Sequence, residues 1–347
     1  MRNAHSIRRS PRETNEEYTQ YPVNATGTIA RKCQMNARIA VVGSVNMDLV
    51  FRTSRMPATG ETIKGREFHQ IPGGKGANQA VAAARQGAQV VFVASVGDDG
   101  FGEQSLRGFA AEEIDLRHIV KAAATPTGTA GILVDDSGHN CIVIAAGAND
   151  LLSPAQVDAA SDAIGAAQLL VCQLETPMPT VARAIDVAKE RGVKVILNPA
   201  PAQALDAGLL AKIDYLILNE TEASQMSGIE VTDRASASRA SEALLARGVG
   251  VVLLTMGEHG VCITQSGASR HLPAVKVDVV DTTAAGDTFV GAFAVGIARG
   301  LALDEAAMEA QYAAALTVTK LGAQTSIPRR AEVEQFMQSR KNLVAAQ

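Results

Sequence analysis

The chain has 347 residues, of which 47 % are hydrophobic and 3 % aromatic, and its net charge is −4. This length suits one large α/β domain, and the negative balance argues against a nucleic-acid-binding surface. No apolar run reaches the roughly 18 residues of a membrane span, and the four cysteines have neither disulfide nor metal-site spacing. We therefore expect a cytoplasmic protein with reduced thiols and with no nucleic-acid or membrane partner.

Residues 1–35 differ in composition from the rest of the chain. They lack apolar periodicity and the long apolar core of a secretory signal. We interpret them as a disordered extension, or as sequence upstream of a true start at Met35. The folded domain is expected at 36–335, with a C-terminal tail at 336–347.

From Arg38 onward, short apolar runs alternate with helical patterns. The runs predict strands at 39–43, 90–95, 168–175, 193–198, 214–219 and 250–255. The helical patterns cover 77–86, 178–191, 233–247 and 286–299, and a glycine follows each, as is common after a helix. Continuous apolar strands suit a parallel sheet that is buried on both faces. The alternation predicts a doubly wound, mainly parallel α/β sheet flanked by helices.

Two segments, 49–71 and 126–145, interrupt this alternation. They alternate apolar and polar residues and contain turn residues such as Asp136, Ser137 and Gly138. This pattern is typical of β-hairpins. We expect a small β-sheet outside the main sheet that acts as a lid over the ligand site.

Polar residues follow the predicted strands where each of them stops. They are Asn46 and Asp48, Glu175, Asn198, Asn219 with Glu222, and Thr255. Each alone could be a turn residue, because Asn and Asp favour turns. In open α/β sheets, however, ligands bind beyond the carboxyl ends of the strands. Together these residues predict a crevice for a ligand rich in hydroxyl and phosphate groups.

Two glycine-rich stretches resemble nucleotide motifs but do not match them. IPGGKGANQA (71–80) lacks the glycine spacing and the Ser or Thr of a P-loop, and GDDGFG (97–102) lacks dinucleotide-fingerprint spacing. In the first stretch, the glycines would let a small polyol approach the backbone near Lys75 and Asn78.

The stretch DTTAAGDTF (281–289) places one carboxylate behind small residues at a predicted helix start. Free N–H groups at Ala285, Gly286 and Asp287 would attract an anion. Asp287 could then accept a hydroxyl proton while those N–H groups stabilise a transferring phosphoryl group. The alternative is that Asp287 is an ordinary helix N-cap.

Ten motifs occur in the chain in one recognisable order. They are GSVNMD (43–48), GGKGANQA (73–80), GDDGFG (97–102), AAGAN (145–149), QLE (173–175), NPAPA (198–202), NETEA (219–223), TMGEHG (255–260), VDTTAAGDTF (280–289) and KLGAQTSIP (320–328). With them, the chain from about Ile39 to Pro328 resembles the ribokinase-like carbohydrate kinases. One variation is Ala284, where the usual signature begins with glycine.

The resemblance implies an ATP-dependent pentose kinase that phosphorylates the 5-hydroxyl of ribose, with deoxyribose or another sugar or nucleoside as the nearest alternative. Asp287 would be the base, and the amides around Ala285 and Gly286 would form the anion hole. The residues implied to hold the sugar are Asn46, Asp48, Gly74, Lys75, Asn78 and Glu175.

The resemblance also implies where ATP and two cations bind. ATP would lie along Asn219, Thr255, Gly257, Gly260 and Gly286, with Glu222 ordering Mg²⁺ through water. An activating K⁺ would be held by Asp281, Thr283, Thr317, Lys320, Gly322 and Ser326. Gln311 stands where these kinases often have Asn near the adenine, which leaves that contact open. The lid implies a homodimer.

Two other classes of function remain as alternatives. A sugar-binding regulator without catalysis would share the crevice, but the intact Asp287 segment argues against it. A Rossmann oxidoreductase would share the sheet, but the chain lacks the glycine fingerprint that such enzymes carry.

Overall fold

The computed structural model describes residues 37–345, so the expectations for residues 1–35 lie outside the described part. The strands are β1 (Arg38–Val42), β2 (Asn46–Arg52), β3 (Glu67–Gly73), β4 (Gln89–Gly97), β5 (Ile119–Ala122), β6 (Gly128–Val134), β7 (Asn140–Ala145), β8 (Leu169–Cys172), β9 (Lys194–Leu197), β10 (Tyr215–Asn219), β11 (Val251–Thr255), β12 (Val261–Gln265) and β13 (Ala268–Leu272). The helices are α1 (Lys75–Arg85), α2 (Gly100–Ala111), α3 (Pro154–Ala159), α4 (Ser161–Gly165), α5 (Met178–Glu190), α6 (Ala207–Leu210), α7 (Glu220–Ser227), α8 (Arg234–Leu245), α9 (Ala285–Ala298), α10 (Leu303–Thr317) and α11 (Arg330–Ala345).

Nine strands form the main sheet, in the order β13-β12-β11-β10-β9-β8-β1-β4-β5. All neighbours from β11 to β5 pair in parallel, and β12 and β13 add an antiparallel edge. The chain runs outward from β1 in both directions, which makes the sheet doubly wound. The predicted fold class is therefore confirmed, including all six predicted strands.

The sheet is buried on both faces because apolar side chains alternate between two hydrophobic cores. In β1, Ile39 and Val41 belong to one core, while Ala40 and Val42 belong to the other. The first core is completed by α1, α9 and α10, and the second by α5 and α8. This explains why the strands read as unbroken apolar runs.

Four strands form a separate small sheet, in the order β3-β2-β6-β7. The central pair, β2 and β6, is parallel, and both outer pairs are antiparallel. We call this sheet the lid. It contains both segments that alternation marked as hairpins, but β2 begins earlier than expected. Asn46 and Asp48 therefore lie in a lid strand and not in a loop after β1.

The GDDGFG motif connects α2 to the lid. The side chain of Asp99 accepts hydrogen bonds from Gly102 N (2.8 Å) at the start of α2 and from Thr127 N (2.8 Å) just before β6. The hydroxyl of Thr127 in turn accepts from Gly97 N (2.9 Å). The motif thus has a structural role at the base of the lid.

At the C-terminal end, α11 spans the boundary that the sequence suggested at residue 335. Within residues 37–345, no helix combines the length and apolar character needed to cross a bilayer.

Candidate active site

A cleft of about 200 Å³, partly open to solvent, lies at the carboxyl ends of the central strands. The residues that line it include Lys75, Asn198, Asn219, Glu222, Thr255, Thr282, Ala284, Gly286 and Asp287. They come from α1, from the ends of β9, β10 and β11, from α7 and from the start of α9. Ligands of doubly wound sheets bind at this edge.

The start of α9 presents free backbone N–H groups to the cleft. Ala284 precedes the helix in the left-handed region, with φ of 60°, and has no capping side chain. Ala285 N donates to Thr282 O (3.2 Å), whereas within the described residues the N–H groups of Gly286 and Asp287 have no acceptor. Of the three amides that the sequence suggested, Gly286 and Asp287 are therefore free and Ala285 is not. The two free amides form a helix-terminal anion site.

Asp287 is buried and is held by two side-chain amides of α1. Its Oδ2 accepts from Asn78 Nδ2 and its Oδ1 from Gln79 Nε2, each at 2.9 Å. The helix N-cap is Ala284, three residues earlier. The alternative interpretation of Asp287 as an N-cap is therefore wrong, because its carboxylate contacts another helix.

Gln79 is a residue that the sequence interpretation missed. It lies inside the quoted motif GGKGANQA, directly after Asn78, and is fully buried. A polar side chain in the middle of an otherwise alanine-rich run was the available signal, since buried amides require partners.

Several of the implied sugar residues meet at the start of α1. Glu175 Oε2 accepts from Ser44 Oγ (2.5 Å) and from Lys75 N (2.9 Å), which fixes this carboxylate at the start of α1. Gly74 precedes α1 with φ of 89°, and an added Cβ would lie 2.7 Å from Asn46 N. A glycine is required there for the close approach of α1 to β2.

The side-chain orientation of Asn46 is set by Asn149, a second residue without a role in the sequence interpretation. Asn149 Oδ1 accepts from Val45 N (2.8 Å), and its Nδ2 donates to Asn46 Oδ1 (2.8 Å). The side-chain carbonyl of Asn46 thus accepts a hydrogen bond from Asn149, and the side-chain NH₂ group of Asn46 remains to contact a ligand. Asn149 ends the AAGAN motif, which explains the asparagine at that position.

Charged groups in the cleft perturb one another. Burial, together with the carboxylates of Glu175 and Asp287, raises the pKa of Asp48 to about 7, although Lys75 opposes the shift. Burial works against the charge of Lys75, but Asp287, Glu175 and other nearby carboxylates outweigh it and raise its pKa. Burial also raises the pKa of Glu222. Such coupled shifts are typical of ligand sites.

The residues implied for ATP include two with clear structural roles. Asn219 and Glu222 form a reciprocal cap of α7, in which Asn219 Oδ1 accepts from Glu222 N (2.8 Å) and Glu222 Oε2 accepts from Asn219 N (2.9 Å). Gly260 has φ of 88° and is packed against Leu272 and Pro273. Gly257, with φ of 49°, faces open space, and Thr255 lines the cleft.

The residues implied for K⁺ belong to two loops joined by Asp281. Its Oδ1 accepts from Thr283 N (2.9 Å), and its Oδ2 accepts from Gly322 N (2.9 Å). These hydrogen bonds outweigh burial and lower the pKa of Asp281. The buried hydroxyls of Thr317 and Ser326 donate to Ala313 O (3.1 Å) and Ala323 O (2.7 Å).

This donor set is chemically suited to a cation. Ser326 donates its hydroxyl hydrogen to Ala323 O, so its oxygen lone pairs remain as acceptors, and Asp281 supplies one carboxylate. The Thr317 hydroxyl contacts both Ala313 O and Thr288 Oγ1, so the oxygen implied from Thr317 is its backbone carbonyl. Hard cations prefer such oxygen ligands. The side chain of Lys320 instead donates to Glu332 Oε1 (2.9 Å), so only its carbonyl could take part.

Gln311 is the residue that the resemblance leaves open as a contact to the adenine. It is buried in α10, where its Nε2 lies 3.9 Å from Met308 Sδ.

In the described part of the chain, no group of three or more His, Cys, Asp or Glu side chains could hold a metal ion.

Comparison with known proteins agrees with this geometry. The sequence model described as "pfkB family carbohydrate kinase" matches residues 36–330. The chain belongs to the pfkB family of carbohydrate kinases. Among family members, the ribokinase of Haemophilus influenzae is 44 % identical over 88 % of this chain and 99 % of its own. The deoxyribokinase of Salmonella typhi is 38 % identical over 86 % of this chain and 97 % of its own.

A solved structure of the pfkB-like fold is also similar. The Arabidopsis thaliana ribokinase complexed with ribose and ATP has a TM-score of 0.82 and 32 % identity, over 87 % of this chain and 99 % of that one. The family is a class of carbohydrate kinases, which excludes the oxidoreductase interpretation for this chain.

Proposed function

We propose that this protein transfers the γ-phosphoryl group of ATP to the 5-hydroxyl of D-ribose, giving ribose 5-phosphate and ADP. The observation that carries the proposal is the pairing of a buried carboxylate, Asp287, with the free N–H groups of Gly286 and Asp287 at the start of α9. Similarity to ribokinases over most of the chain supports ribose as the acceptor.

In this reaction Asp287 accepts the proton of the 5-hydroxyl while the hydroxyl oxygen forms a bond to the γ-phosphorus. The bond from that phosphorus to the β–γ bridging oxygen breaks, and ADP leaves with its electron pair. The free N–H groups of Gly286 and Asp287 donate to the phosphoryl oxygens, whose charge is largest in the transition state. The proton remains on Asp287 until product leaves.

Asn46, Asp48, Lys75, Asn78 and Glu175 would hold the sugar so that its hydroxyl faces Asp287. Gly74 would let the sugar approach the backbone. On the nucleotide side, Asn219, Thr255 and Gly257 would lie along ATP, and Gly260 would shape that loop.

Two cations complete the proposal. Mg²⁺, when bound with ATP, would neutralise phosphate charge, with Glu222 reaching it through water. K⁺ would bind beside the anion site at Asp281, Ser326 and the carbonyls of Thr283, Thr317, Lys320 and Gly322, where it would brace the loop before α9. The oxygen donors described above suit both ions.

A deoxyribose kinase is the second candidate, since the Salmonella deoxyribokinase is 38 % identical. A site built to hydrogen-bond a hydroxyl rejects an analogue that lacks it, because buried polar groups are then left unpaired. ADP release should be measured with ribose, 2-deoxyribose, fructose and nucleosides at matched concentrations. The highest kcat/KM with ribose supports the proposal. The highest value with deoxyribose selects the second candidate, and no release with any acceptor favours a binding regulator.

We also propose a homodimer joined through the lid and a cytoplasmic location. The dimer is supported by β7, an edge strand whose six residues are all exposed. Among them, Ile142, Val143 and Ile144 are 53 %, 75 % and 55 % exposed. The location is supported by the free thiols of Cys141, Cys172 and Cys262, which suit a reducing compartment.

A further inference from the structure

Gln79 makes three hydrogen bonds from a fully buried position in α1. Its Nε2 donates to Asp287 Oδ1 (2.9 Å) and to Asn198 Oδ1 (3.0 Å). Its Oε1 accepts from Gln173 Nε2 (2.6 Å). Both hydrogens of the NH₂ group are therefore used, and the side chain cannot turn without breaking several bonds.

The direction of these bonds is fixed by a backbone carbonyl. Ile217 O in β10 can only accept, so Asn198 must present its NH₂ group to it, at 2.9 Å. The side-chain carbonyl of Asn198 then faces Gln79, so Gln79 must donate to it from its own side-chain NH₂ group. The second hydrogen of that group points at Asp287, while the Gln79 carbonyl faces Gln173. A flipped amide would break this sequence of donors and acceptors.

The network is assembled at the carboxyl ends of three adjacent parallel strands. Gln173 directly follows β8, Asn198 directly follows β9, and Ile217 lies in β10. Residues at these strands thus hold Gln79 in place, and Gln79 in turn holds the proposed base on α9. Gln79 itself is fully hydrogen-bonded, and side chains held by several buried hydrogen bonds are rigid, although the oxygen of Gln173 has no partner within the described residues.

Other charged groups also face Asp287. They are the ammonium group of Lys75 on α1 and the carboxylates of Asp48 on β2 and Glu222 on α7, each of which interacts electrostatically with Asp287. A donor that keeps its hydrogen aimed at Oδ1 favours the carboxylate over the protonated acid.

We propose that Gln79 is a positioning residue for phosphoryl transfer, which holds the carboxylate of Asp287 in place and aims it at the sugar hydroxyl. This inference rests on the proposed function. Gln79 differs in role from its neighbour Asn78, whose Oδ1 is buried and has no partner within the described residues. Asn78 can therefore contact the sugar as well as Asp287, whereas Gln79 acts through Asp287 alone.

The test compares Gln79→Leu with Gln86→Leu. Gln86 is a matched control because it is a buried glutamine of the same part of the chain, and its Nε2 donates to Pro328 O (2.9 Å), away from the cleft. We expect Gln79→Leu to lower kcat by about 10- to 100-fold, the worth of a hydrogen bond to a charged group. KM for ribose and ATP should stay within about twofold of the original value, since Asp287 and not the substrate loses a contact.

A pH profile separates positioning from a loss of structure. In Gln79→Leu, the acid limb of the kcat profile should move to higher pH, because the carboxylate has lost a donor. Gln86→Leu should lower Tm but leave kcat and the limb unchanged. Gln173→Leu removes the donor to the side-chain carbonyl of Gln79. It should also lower kcat and move the acid limb to higher pH, but by less than Gln79→Leu does. An unmoved limb in both Gln79→Leu and Gln173→Leu would overturn the proposal.

A double-mutant cycle shows whether Gln79 acts through Asp287. In the Asp287→Asn background, Gln79→Leu should cause little further loss of kcat, because the group on which it acts has been replaced. Losses that multiply would overturn the positioning role while leaving the proposed function intact. If the unaltered protein forms no ADP with any sugar, the proposed function and this inference both fail.

Discussion

At the scale of single residues, Asp287 is the side chain on which most of the chemistry depends. Each of its two carboxylate oxygens accepts one hydrogen bond from a side-chain amide. Lone pairs remain on both oxygens and can accept a hydroxyl proton. Its position three residues after the left-handed Ala284 places it beside the free amides of the same helix start. One short segment therefore supplies both the base and the anion site.

We expect Asp287→Asn to lower kcat by about 10²- to 10⁴-fold, the range usual for loss of a general base. KM for ribose should change little, because the sugar retains its other partners. Asp233→Asn is a matched control, since Asp233 caps α8 through Ser236 N (2.7 Å). Steady-state kinetics with both substrates measures the effect. Near-normal turnover in Asp287→Asn would show that the carboxylate is structural.

Asp48 predicts a pH dependence of sugar binding. Its pKa is raised to about 7, so at pH 6 most molecules hold a proton on this carboxyl before sugar binds. Sugar hydroxyls donate best to the ionised form, and binding should therefore release a proton. Ribose affinity should rise about tenfold from pH 6 to pH 8 and level off above.

Calorimetry without ATP, in two buffers of different ionisation enthalpy, measures this proton release. Asp48→Asn should bind ribose more weakly and without the pH dependence. Equal ribose affinity of the unaltered protein at pH 6 and pH 8 would contradict the prediction.

At the scale of elements, the sequence predicted six of the nine strands of the main sheet, because these six are buried on both faces, and it missed β5, β12 and β13. Among the eleven helices of the described residues, it predicted α1, α5, α8 and α9, where a helical pattern is followed by a glycine. The strand expected at 168–175 ends earlier, at Cys172, because Leu174 N instead bonds Ala200 O (3.0 Å) outside the sheet. Such a departure depends on a neighbouring loop, which local pattern cannot show.

The candidate site was predicted only in part for the same reason. Its charged residues could be identified because they follow apolar strands and belong to the recognised motifs. The hydrogen bonds of Gln79 and Asn149 join segments about 100 to 200 residues apart. Nothing in the local sequence reports those partners, because the sheet topology brings them together.

The two loops joined by Asp281 predict a specific ion effect. At equal ionic strength and saturating substrates, K⁺ should raise kcat well above Na⁺, because a bound cation would brace the loop that leads into α9. Asp281→Asn should remove most of this difference. Asp278→Asn, at an exposed position of the same segment, should retain it. Equal rates of the unaltered protein in the two salts would contradict the prediction.

At the scale of the whole molecule, the lid is the part that a single chain leaves incomplete. The main sheet is covered by helices on both faces, whereas β7 exposes a continuous apolar strand at the edge of the lid. Exposed flat edge strands invite pairing with another chain. A second copy of the lid would cover this edge.

We therefore expect a homodimer in light scattering at micromolar concentration. Val143→Lys should give a monomer, because Val143 is 75 % exposed and a charge there would have to be buried in the dimer. Val120→Lys, on the 41 % exposed side chain of Val120 in β5 at one edge of the main sheet, is the control and should remain dimeric. Tm of the dimer should rise with protein concentration, since assembly stabilises the folded chain by mass action. A monomeric unaltered protein would exclude the lid interface, whereas a dimeric Val143→Lys would place the interface elsewhere on the molecule.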